Sequence, residues 1–395
     1  MEFELVAEQH QLDQLCQGIA DASVVGFDTE FVSEYSYRPQ LCLLQLAFGD
    51  RLGIVDPLAV EDLNPLWNQL ATGNHETIVH AGREELRFFL RYSRRRPSNL
   101  FDIQIAAGLI GIEYPASYGN LASKLLRVSL PKGETRTDWR KRPLSDLQLE
   151  YALQDVTHLE PIRTAIHERL KQLGRTSWLK AEMESWQSSV ERMESEEGWR
   201  RVAGMSSLSS RELAIVRELW RWRENQAEHR DCPPRRVLRD DLIVELARRR
   251  SSNVRGIGAV RGFDRGDLRR KLPELAKAVQ RGMEMDRREL PSPSVKRQSV
   301  KVGATAQYLA TVLSGICREQ NIASSLVGTV QDVRDLVAYR LGFAENNEVP
   351  ALAQGWRAEV VGQRIDDLLE GKLTVRIVDP TSDQPLRLEP WRPAE

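Results

Sequence analysis

The sequence predicts an α/β domain with a mixed sheet, followed by all-α modules. Strand-like and helix-like segments alternate from residue 1 to about residue 170. From residue 210 to about 375 the apolar residues recur at helical spacing, with no strand pattern. A linker rich in Pro and Ser, residues 291–299, divides this helical part into two blocks. A chain of 395 residues is long enough for two or three domains.

The elements of the first domain follow from local pattern. Two short turns predict an antiparallel meander of three strands at 24–31, 40–48 and 52–55. Helices are predicted at 63–70 and 83–92, a short strand at 77–80, and a strand or a helix start at 100–105. Ser145 and Gln148 form a capping box that begins one predicted helix, running to about residue 173.

The second helical block is predicted to contain three helices at 308–319, 330–341 and 360–369. The proline-containing tail from 379 to 395 is expected to be extended or disordered.

Composition excludes several classes of protein. With 41% hydrophobic and 29% charged residues the chain is globular. Its four cysteines are far apart and form no CxxC pair, which argues against a disulfide framework or a zinc site. The start of the chain is unlike a signal peptide, and no apolar run reaches membrane-spanning length. We therefore expect a cytoplasmic protein without a membrane segment.

Charge is distributed unevenly along the chain. Residues 201–310 hold 25 basic and 14 acidic residues, a net charge of +11, whereas residues 1–200 carry −8 and residues 311–395 carry −4. A basic middle third beside an acidic first half indicates a polyanion-binding module joined to a cation-binding one. Surface arginines alone could produce the same imbalance.

Two acidic residues stand at the end of the first predicted strand. Asp28 and Glu30 are two residues apart, so they project from one face of the strand. Two like charges buried side by side are unfavourable unless a cation neutralises them, and hard divalent ions prefer such oxygen ligands. If the strand instead ends at the surface, both carboxylates are solvated; this segment alone leaves both possibilities open.

Further acidic residues follow at helical positions. Tyr151 and Asp155 are spaced i, i+4 and share one face of their predicted helix. Glu84 and Glu85 lie on the helix after the strand that ends near residue 80. Two divalent ions about 3.5–4 Å apart, as in many phosphodiester-cleaving sites, need about this number of carboxylates.

These motifs resemble the DEDDy group of 3′–5′ exonucleases, and specifically the ribonuclease D family. The three exonuclease motifs match GFDTEF, IVHAGREEL and YALQD, and FDIQIAAGL and LPKGETRTDW lie between them in the expected order. The basic segment RENQAEHRDCPPRRVLRDDLIVELARR is similar to an HRDC (helicase and RNase D C-terminal) domain. The resemblance covers nearly the whole chain.

The resemblance implies a domain plan. A ribonuclease H-like mixed-sheet exonuclease domain would occupy residues 1–173, followed by a connecting helix and linker at 174–208. An HRDC domain would occupy 209–290, a linker 291–299, and a second, more divergent HRDC-like domain 300–376, leaving a tail at 377–395.

The resemblance also assigns site residues. Asp28, Glu30 and Asp155 would bind two divalent metal ions, Mg²⁺ or Mn²⁺, and Tyr151 would position the attacking water. Glu85 would be the fourth metal ligand, and it stands where the family has aspartate. Its extra methylene moves the carboxylate by about 1 Å, a displacement that can cost about 100-fold in rate.

Additional residues near the site have two interpretations each. Four side chains in the segment before the catalytic helix could hold the substrate backbone or could belong to a solvated loop: Lys132, Arg136, Trp139 and Arg142. Asp102, in FDIQ, is a spare carboxylate to which we assign structural hydrogen bonding.

The implied function is metal-dependent hydrolysis of RNA from its 3′ end to nucleoside 5′-monophosphates. The family suggests precursor tRNA with a single-stranded 3′ end, and other small stable RNAs, as substrates of a monomeric enzyme. Two alternatives stay open at this point. The substrate could be DNA, because 2′-hydroxyl contacts cannot be identified from sequence. The chain could also be a weakly active or inactive RNA-binding homologue, with Glu85 as the sign of lost catalysis.

Overall fold

The computed structural model describes residues 2–130, 137–263, 266–293, 302–344 and 348–391. Its first part is a six-stranded mixed sheet with the strand order β1-β4-β3-β2-β5-β6. The strands are β1 (Glu4–Val6), β2 (Val24–Val32), β3 (Gln40–Phe48), β4 (Arg51–Val55), β5 (Glu76–Val79) and β6 (Leu100–Asp102). The predicted meander β2-β3-β4 is confirmed, because both of its pairings are antiparallel. The remaining pairings are parallel.

Seven helices accompany this sheet in the part of the domain that the structure describes. They are α1 (Gln9–Ala20), α2 (Asn64–Thr72), α3 (Arg83–Tyr92), α4 (Ile103–Gly108), α5 (Tyr118–Leu126), α6 (Asp146–Thr157) and α7 (Leu159–Gln172). The segment 100–105, for which a strand and a helix start were both considered, contains both, since β6 runs directly into α4. The sequence patterns did not predict β1, α1 or α5.

The single helix predicted for 145–173 is two helices, and that prediction was wrong. The helix is interrupted at His158, which caps the end of α6 and the start of α7. The backbone N–H of His158 donates to the hydroxyl of Tyr118 over 3.0 Å, so a side chain of α5 satisfies a group that the break releases. Helical periodicity continues through the break, which is why the sequence did not reveal it.

The long helix α8 (Thr176–Ser195) leads from the sheet domain to a helical domain with its own hydrophobic core. Its described residues, with a gap at 264–265, form five helices: α9 (Ser210–His229), α10 (Pro234–Val237), α11 (Asp240–Arg249), α12 (Val254–Gly258) and α13 (Gly266–Glu284). Helices α9 and α13 pack together along the core. A capping box of Ser209 and Glu212 begins α9.

The last helical block packs on the sheet domain and shares its core. It consists of α14 (Gly303–Glu319), α15 (Ser324–Val327), α16 (Val330–Arg340) and α17 (Gly355–Leu369). The Ala323 N–H donates to the Gly108 carbonyl over 2.8 Å. Glu182 of α8 accepts from Trp356 and Arg357 of α17, at 3.0 and 2.6 Å. This block is therefore fixed to the sheet domain and α8 by polar contacts.

The chain end forms a pair of strands that the sequence patterns did not predict. Strands β7 (Leu373–Ile377) and β8 (Leu386–Pro390) form an antiparallel hairpin, and β8 packs against α14. Residues 386–390 were expected to be extended or disordered as part of the tail; they are extended, and paired. None of the described helices combines the length and the apolar character needed to cross a membrane. All four cysteines are free.

Candidate active site

Two carboxylates of the site lie on one face of β2. The register places Asp28 opposite Gln45 of β3, and Glu30 opposite Leu43. Residues directly opposite in an antiparallel pair share a face of the sheet. Leu43 packs with Leu153 of α6 in a small core cluster, so helix α6 covers this face. Asp28 and Glu30 therefore project between the sheet and α6.

Glycine in the first motif allows the helices to approach the sheet closely. A Cβ atom at Gly26 would lie 3.3 Å from the Leu159 side chain and 3.4 Å from the Val156 carbonyl oxygen. Gly26 is on the same face as Asp28, since the two are two residues apart. The end of α6, where Asp155 lies, is thus brought against the strand that carries the first two acids.

The third carboxylate completes a cluster. The carboxylate oxygens of Asp28, Glu30 and Asp155 lie within 4.8 Å of one another. Asp155 lies more than 120 positions after Asp28 and Glu30 in the sequence, and only the packing of α6 on β2 brings it to them. The structure thus brings together three of the four acids that the sequence assigned to metal binding.

Burial and mutual repulsion raise the pKa values of these acids. The pKa of Glu30 is raised to about 8, first by burial and then by the charges of Asp155 and Glu85. Burial raises the pKa of Asp155 to about 6. The pKa of Asp28 is raised well above its ordinary value by burial and by its acidic neighbours, of which Glu85 has the largest effect. Each carboxylate therefore favours a cation at this position.

Glu85 approaches the site from the other side of β2. It is 5% exposed, on α3, and its carboxylate accepts a 2.6 Å hydrogen bond from the hydroxyl of Thr29. Thr29 alternates with Asp28 along the strand and so belongs to the opposite face. Burial raises the pKa of Glu85 to about 7, and the Thr29 hydrogen bond opposes this rise. Glu85 is close enough to affect Asp28 electrostatically, but it is outside the compact group of three.

Asp102 has the structural role that the sequence suggested. It is buried at the end of β6 and accepts from the backbone N–H of Gln104, which caps α4. It also accepts from the N–H groups of Ala81 and Gly82, at 3.1 and 2.9 Å. These two residues form the turn into α3, so Asp102 fixes the start of the helix that presents Glu85.

Tyr151 lies one helical turn before Asp155, at the edge of the cluster. Its pKa is raised to about 12 by burial and by the carboxylates of Asp155, Glu30 and Asp28. The ring of Trp139 is 6% exposed and lies 6.2 Å from the Tyr151 ring, centroid to centroid. The Trp139 ring therefore packs beside the Tyr151 ring and supports it.

Arg142 is engaged with the protein itself. Its guanidinium donates to the Asp56 carboxylate over 2.7 Å and to the carbonyls of Cys42 and Trp139, each over 2.8 Å. These bonds fix the segment that leads into α6. Of the four residues considered for substrate binding, Lys132 and Arg136 lie outside the described residues.

Two neighbours of the acids were not identified from the sequence patterns. Thr29 lies between the two acids of the first motif, but its partner Glu85 could not be known without the fold. Gln45 is fully buried opposite Asp28, and neither of its amide atoms has a hydrogen-bond partner among the described residues. A polar residue inside the apolar run LCLLQLAF was the available signal for Gln45.

The donor set fits divalent cations. Clustered carboxylates that are partly buried and have raised pKa values supply oxygen ligands for hard ions. The positive charge of such an ion would offset the repulsion among the carboxylates. Asp28, Glu30 and Asp155 would hold such an ion, and Glu85 adjoins them beside Asp28. The arrangement matches the carboxylate sites that assist phosphodiester hydrolysis.

Known proteins resemble this chain over most of its length. A family model described as 3′–5′ exonuclease matches residues 3–171, and an HRDC domain model matches residues 212–279. A ribonuclease D from Zymomonas mobilis is 32% identical over 384 residues, which cover 94% of this chain and 95% of the relative. A ribonuclease D from Sphingobium indicum is 34% identical over 384 residues, which cover 94% of this chain and 96% of the relative.

Solved structures give the same result. The structure of Escherichia coli RNase D, described as an exoribonuclease involved in structured RNA processing, aligns with a TM-score of 0.81 and 26% identity. The alignment covers 94% of this chain and 99% of that one. A protein from Bifidobacterium adolescentis shares the fold, with a TM-score of 0.66 and 22% identity. The chain is a member of the ribonuclease D family, with a 3′–5′ exonuclease domain followed by an HRDC domain.

Proposed function

We propose that this protein is a metal-dependent exoribonuclease that removes nucleotides from RNA 3′ ends and releases nucleoside 5′-monophosphates. The carboxylate cluster of Asp28, Glu30 and Asp155 is the observation that supports the proposal most directly. Two divalent ions, Mg²⁺ or Mn²⁺, would be held by these residues together with Glu85. When bound, such ions supply Lewis acidity and lower the pKa of a water molecule.

The side chains around the ions have separate tasks. Tyr151 stays protonated near pH 7 because its pKa is about 12, so its hydroxyl orients a water and does not act as the base. Trp139 holds the tyrosine ring in place. Thr29 fixes Glu85 beside Asp28, and Asp102 fixes the helix on which Glu85 lies.

The substrate is inferred to be structured RNA with an unpaired 3′ end, such as precursor tRNA or another small stable RNA. The HRDC domain lies in the part of the chain with a net charge of +11, and it would contact the phosphates of the RNA body. The acidic exonuclease domain would receive the 3′ strand. We further infer that residues 300–376 are a second HRDC-like module and that the protein acts as a monomer. Its four free cysteines agree with a cytoplasmic location.

A processing assay tests this function. An RNA hairpin with a 3′ extension is prepared with a label at its 5′ end, and separately with labelled nucleotides in the extension, and each RNA is incubated with the full chain and Mg²⁺ or Mn²⁺. We expect stepwise shortening and nucleoside 5′-monophosphates, and we expect Asp155→Asn to abolish both. Absence of mononucleotides from the wild-type chain would overturn the assignment.

The same assay separates the alternatives. A DNA oligonucleotide of matched sequence, shortened as fast as the RNA, would contradict the preference for RNA. RNA binding without shortening, in either metal, would identify an inactive homologue. In that case Glu85→Asp, which restores the aspartate of the family motif, would be the variant to test for recovered activity.

A further inference from the structure

An exposed tyrosine lies at the junction of the exonuclease and HRDC domains. Tyr35 is on the loop between β2 and β3, five residues after Glu30, and 53% of its surface is accessible. Two guanidinium groups lie over its ring. The Cζ atom of Arg140 is 4.9 Å from the ring centroid, and that of Arg236 is 5.7 Å away.

The two arginines belong to different domains. Arg140 lies in the segment before α6, next to the Trp139 that supports Tyr151. It is held by the carboxylate of Asp138 through bonds of 2.8 and 3.0 Å. Arg236 lies on α10 of the HRDC domain. Tyr35 therefore connects the segment before α6, which also holds Trp139, with the basic HRDC domain.

The loop that carries Tyr35 is fixed at this junction. The backbone N–H of Tyr37 donates to the Asp231 carboxylate over 3.0 Å, and Arg38 pairs with Glu228 over 3.0 Å. Both acceptors belong to the HRDC domain. The ring and the two guanidinium groups are thus positioned before any ligand arrives, which lowers the entropic cost of binding.

This combination of groups suits single-stranded RNA. An aromatic ring stacks on any base, worth about 1–3 kcal/mol per base, and needs no particular sequence. Guanidinium groups stack on bases and bind phosphates in bidentate geometry. In a duplex the base faces are already stacked on their neighbours, so the ring favours an unpaired strand.

We propose that Tyr35, Arg140 and Arg236 form a binding site for an unpaired nucleotide of the 3′ strand, upstream of the nucleotide being removed. The proposal rests on the exoribonuclease function above. The alternative is a purely structural role, in which the two cation–π contacts only hold the domains together. In our proposal the loss of the ring weakens RNA binding and raises KM, while kcat stays unchanged.

Binding is measured with the full chain in EDTA, by the fluorescence anisotropy of a labelled 12-nucleotide single-stranded RNA. We expect Tyr35→Ala to raise Kd about tenfold, as the loss of one stacked base predicts. Tyr35→Phe keeps the ring and is expected to stay within about twofold of wild type. Tyr308→Ala is the matched control, since Tyr308 is 52% exposed but lies on α14, and no change is expected.

The salt dependence of RNA binding separates the contribution of the Tyr35 ring from that of the Arg236 guanidinium. Arg236→Ala should reduce the slope of log Kd against log salt by about 0.7, the value for one phosphate contact to a single strand. Tyr35→Ala should lower the affinity without changing this slope. If Tyr35→Ala leaves Kd unchanged and lowers the unfolding temperature, the cation–π contacts have only a structural role and the proposal is overturned.

Kinetics tests the position of the site. On a hairpin RNA with an eight-nucleotide 3′ tail we expect Tyr35→Ala to raise KM; on a two-nucleotide tail it should have no effect, because the strand is too short to reach Tyr35. Equal KM values for wild type and variant on the long tail would refute the site while leaving the exoribonuclease function intact. Wild-type protein that shortens neither RNA would refute both.

Discussion

The hydroxyl of Thr29 donates a 2.6 Å hydrogen bond to the carboxylate of Glu85, across 56 residues of sequence. Thr29 separates the two acids of the first motif, and Glu85 is the acid at the position where the resemblance predicts an aspartate. The Glu85 side chain, one methylene longer than aspartate, is thus held by Thr29. Thr29 lies on the face of β2 opposite to that of Asp28. This bond explains how a glutamate is accommodated in a buried position beside the cluster.

Removal of the hydroxyl tests the importance of that bond. We expect Thr29→Val to lower the free energy of unfolding by about 1–3 kcal/mol, because a buried carboxylate loses its partner. The pKa of Glu85 should rise, since the hydrogen bond now lowers it. Thr29→Ser keeps the hydroxyl and is the control. Urea unfolding at pH 7 is the measurement, and equal stabilities for Val and Ser would contradict this account.

Charge and hydrogen bonding at position 85 can be separated. Glu85→Gln still accepts from Thr29 but loses its charge, and we expect activity to fall about 100-fold or more with little change in stability. Glu85→Asp keeps the charge, and we expect a rate within about tenfold of wild type. Single-turnover assays in saturating Mg²⁺ compare the two. If Gln is as active as wild type, Glu85 does not bind metal.

The raised pKa values predict an unusual pH dependence of stability without metal. The pKa of Glu30 is about 8 in the folded state, against an ordinary value of 4.5. Between these values the folded protein holds more protons than the unfolded chain, so stability falls as pH rises. We expect a loss of about 1–3 kcal/mol between pH 5 and 8 from the cluster as a whole.

Thermal unfolding in EDTA between pH 5 and 9 measures this effect. Glu30→Gln should flatten the curve and raise the unfolding temperature at pH 8. Glu34→Gln, an exposed glutamate four residues later, should follow the wild type. Mg²⁺ or Mn²⁺ should stabilise the wild type more at pH 8 than at pH 6, because a bound ion requires deprotonated ligands. A wild-type curve that rises through this range would refute the clustering of charge.

Tyr151 should act through its hydroxyl alone. We expect Tyr151→Phe to lower kcat about 10- to 100-fold and to leave the affinity for Mn²⁺, measured by calorimetry, unchanged. The ring would still pack on Trp139. Trp139→Phe should lower kcat less. A kcat unchanged by Tyr151→Phe would remove the tyrosine from the reaction.

Arg142 offers a choice between two roles that the sequence could not separate. Its contacts with Asp56 and two carbonyls predict that Arg142→Met lowers the free energy of unfolding by about 2–3 kcal/mol. A substrate contact predicts instead a smaller salt dependence of RNA binding with unchanged stability. Unfolding and binding of the same variant, measured side by side, decide between them.

The sequence determined the types of element, the acidic motifs and the family. Apolar periodicity located β2, β3, β4, α2 and α3, because these segments alternate or repeat regularly along the chain. It failed at His158, since the break between α6 and α7 interrupts hydrogen bonds without interrupting the apolar repeat. It also failed at the chain end, where the β7–β8 hairpin is stabilised by packing against α14.

Tertiary structure alone decided how the acids are arranged. Asp28 and Glu30 share a face by local geometry, but Asp155 joins them only because the α6–α7 junction packs against Gly26. Likewise, no local pattern pairs Glu85 with Thr29 or places Tyr35 between arginines of two domains. Sequence periodicity records which way a side chain faces within its own element, whereas the distance between elements depends on how their buried surfaces fit together.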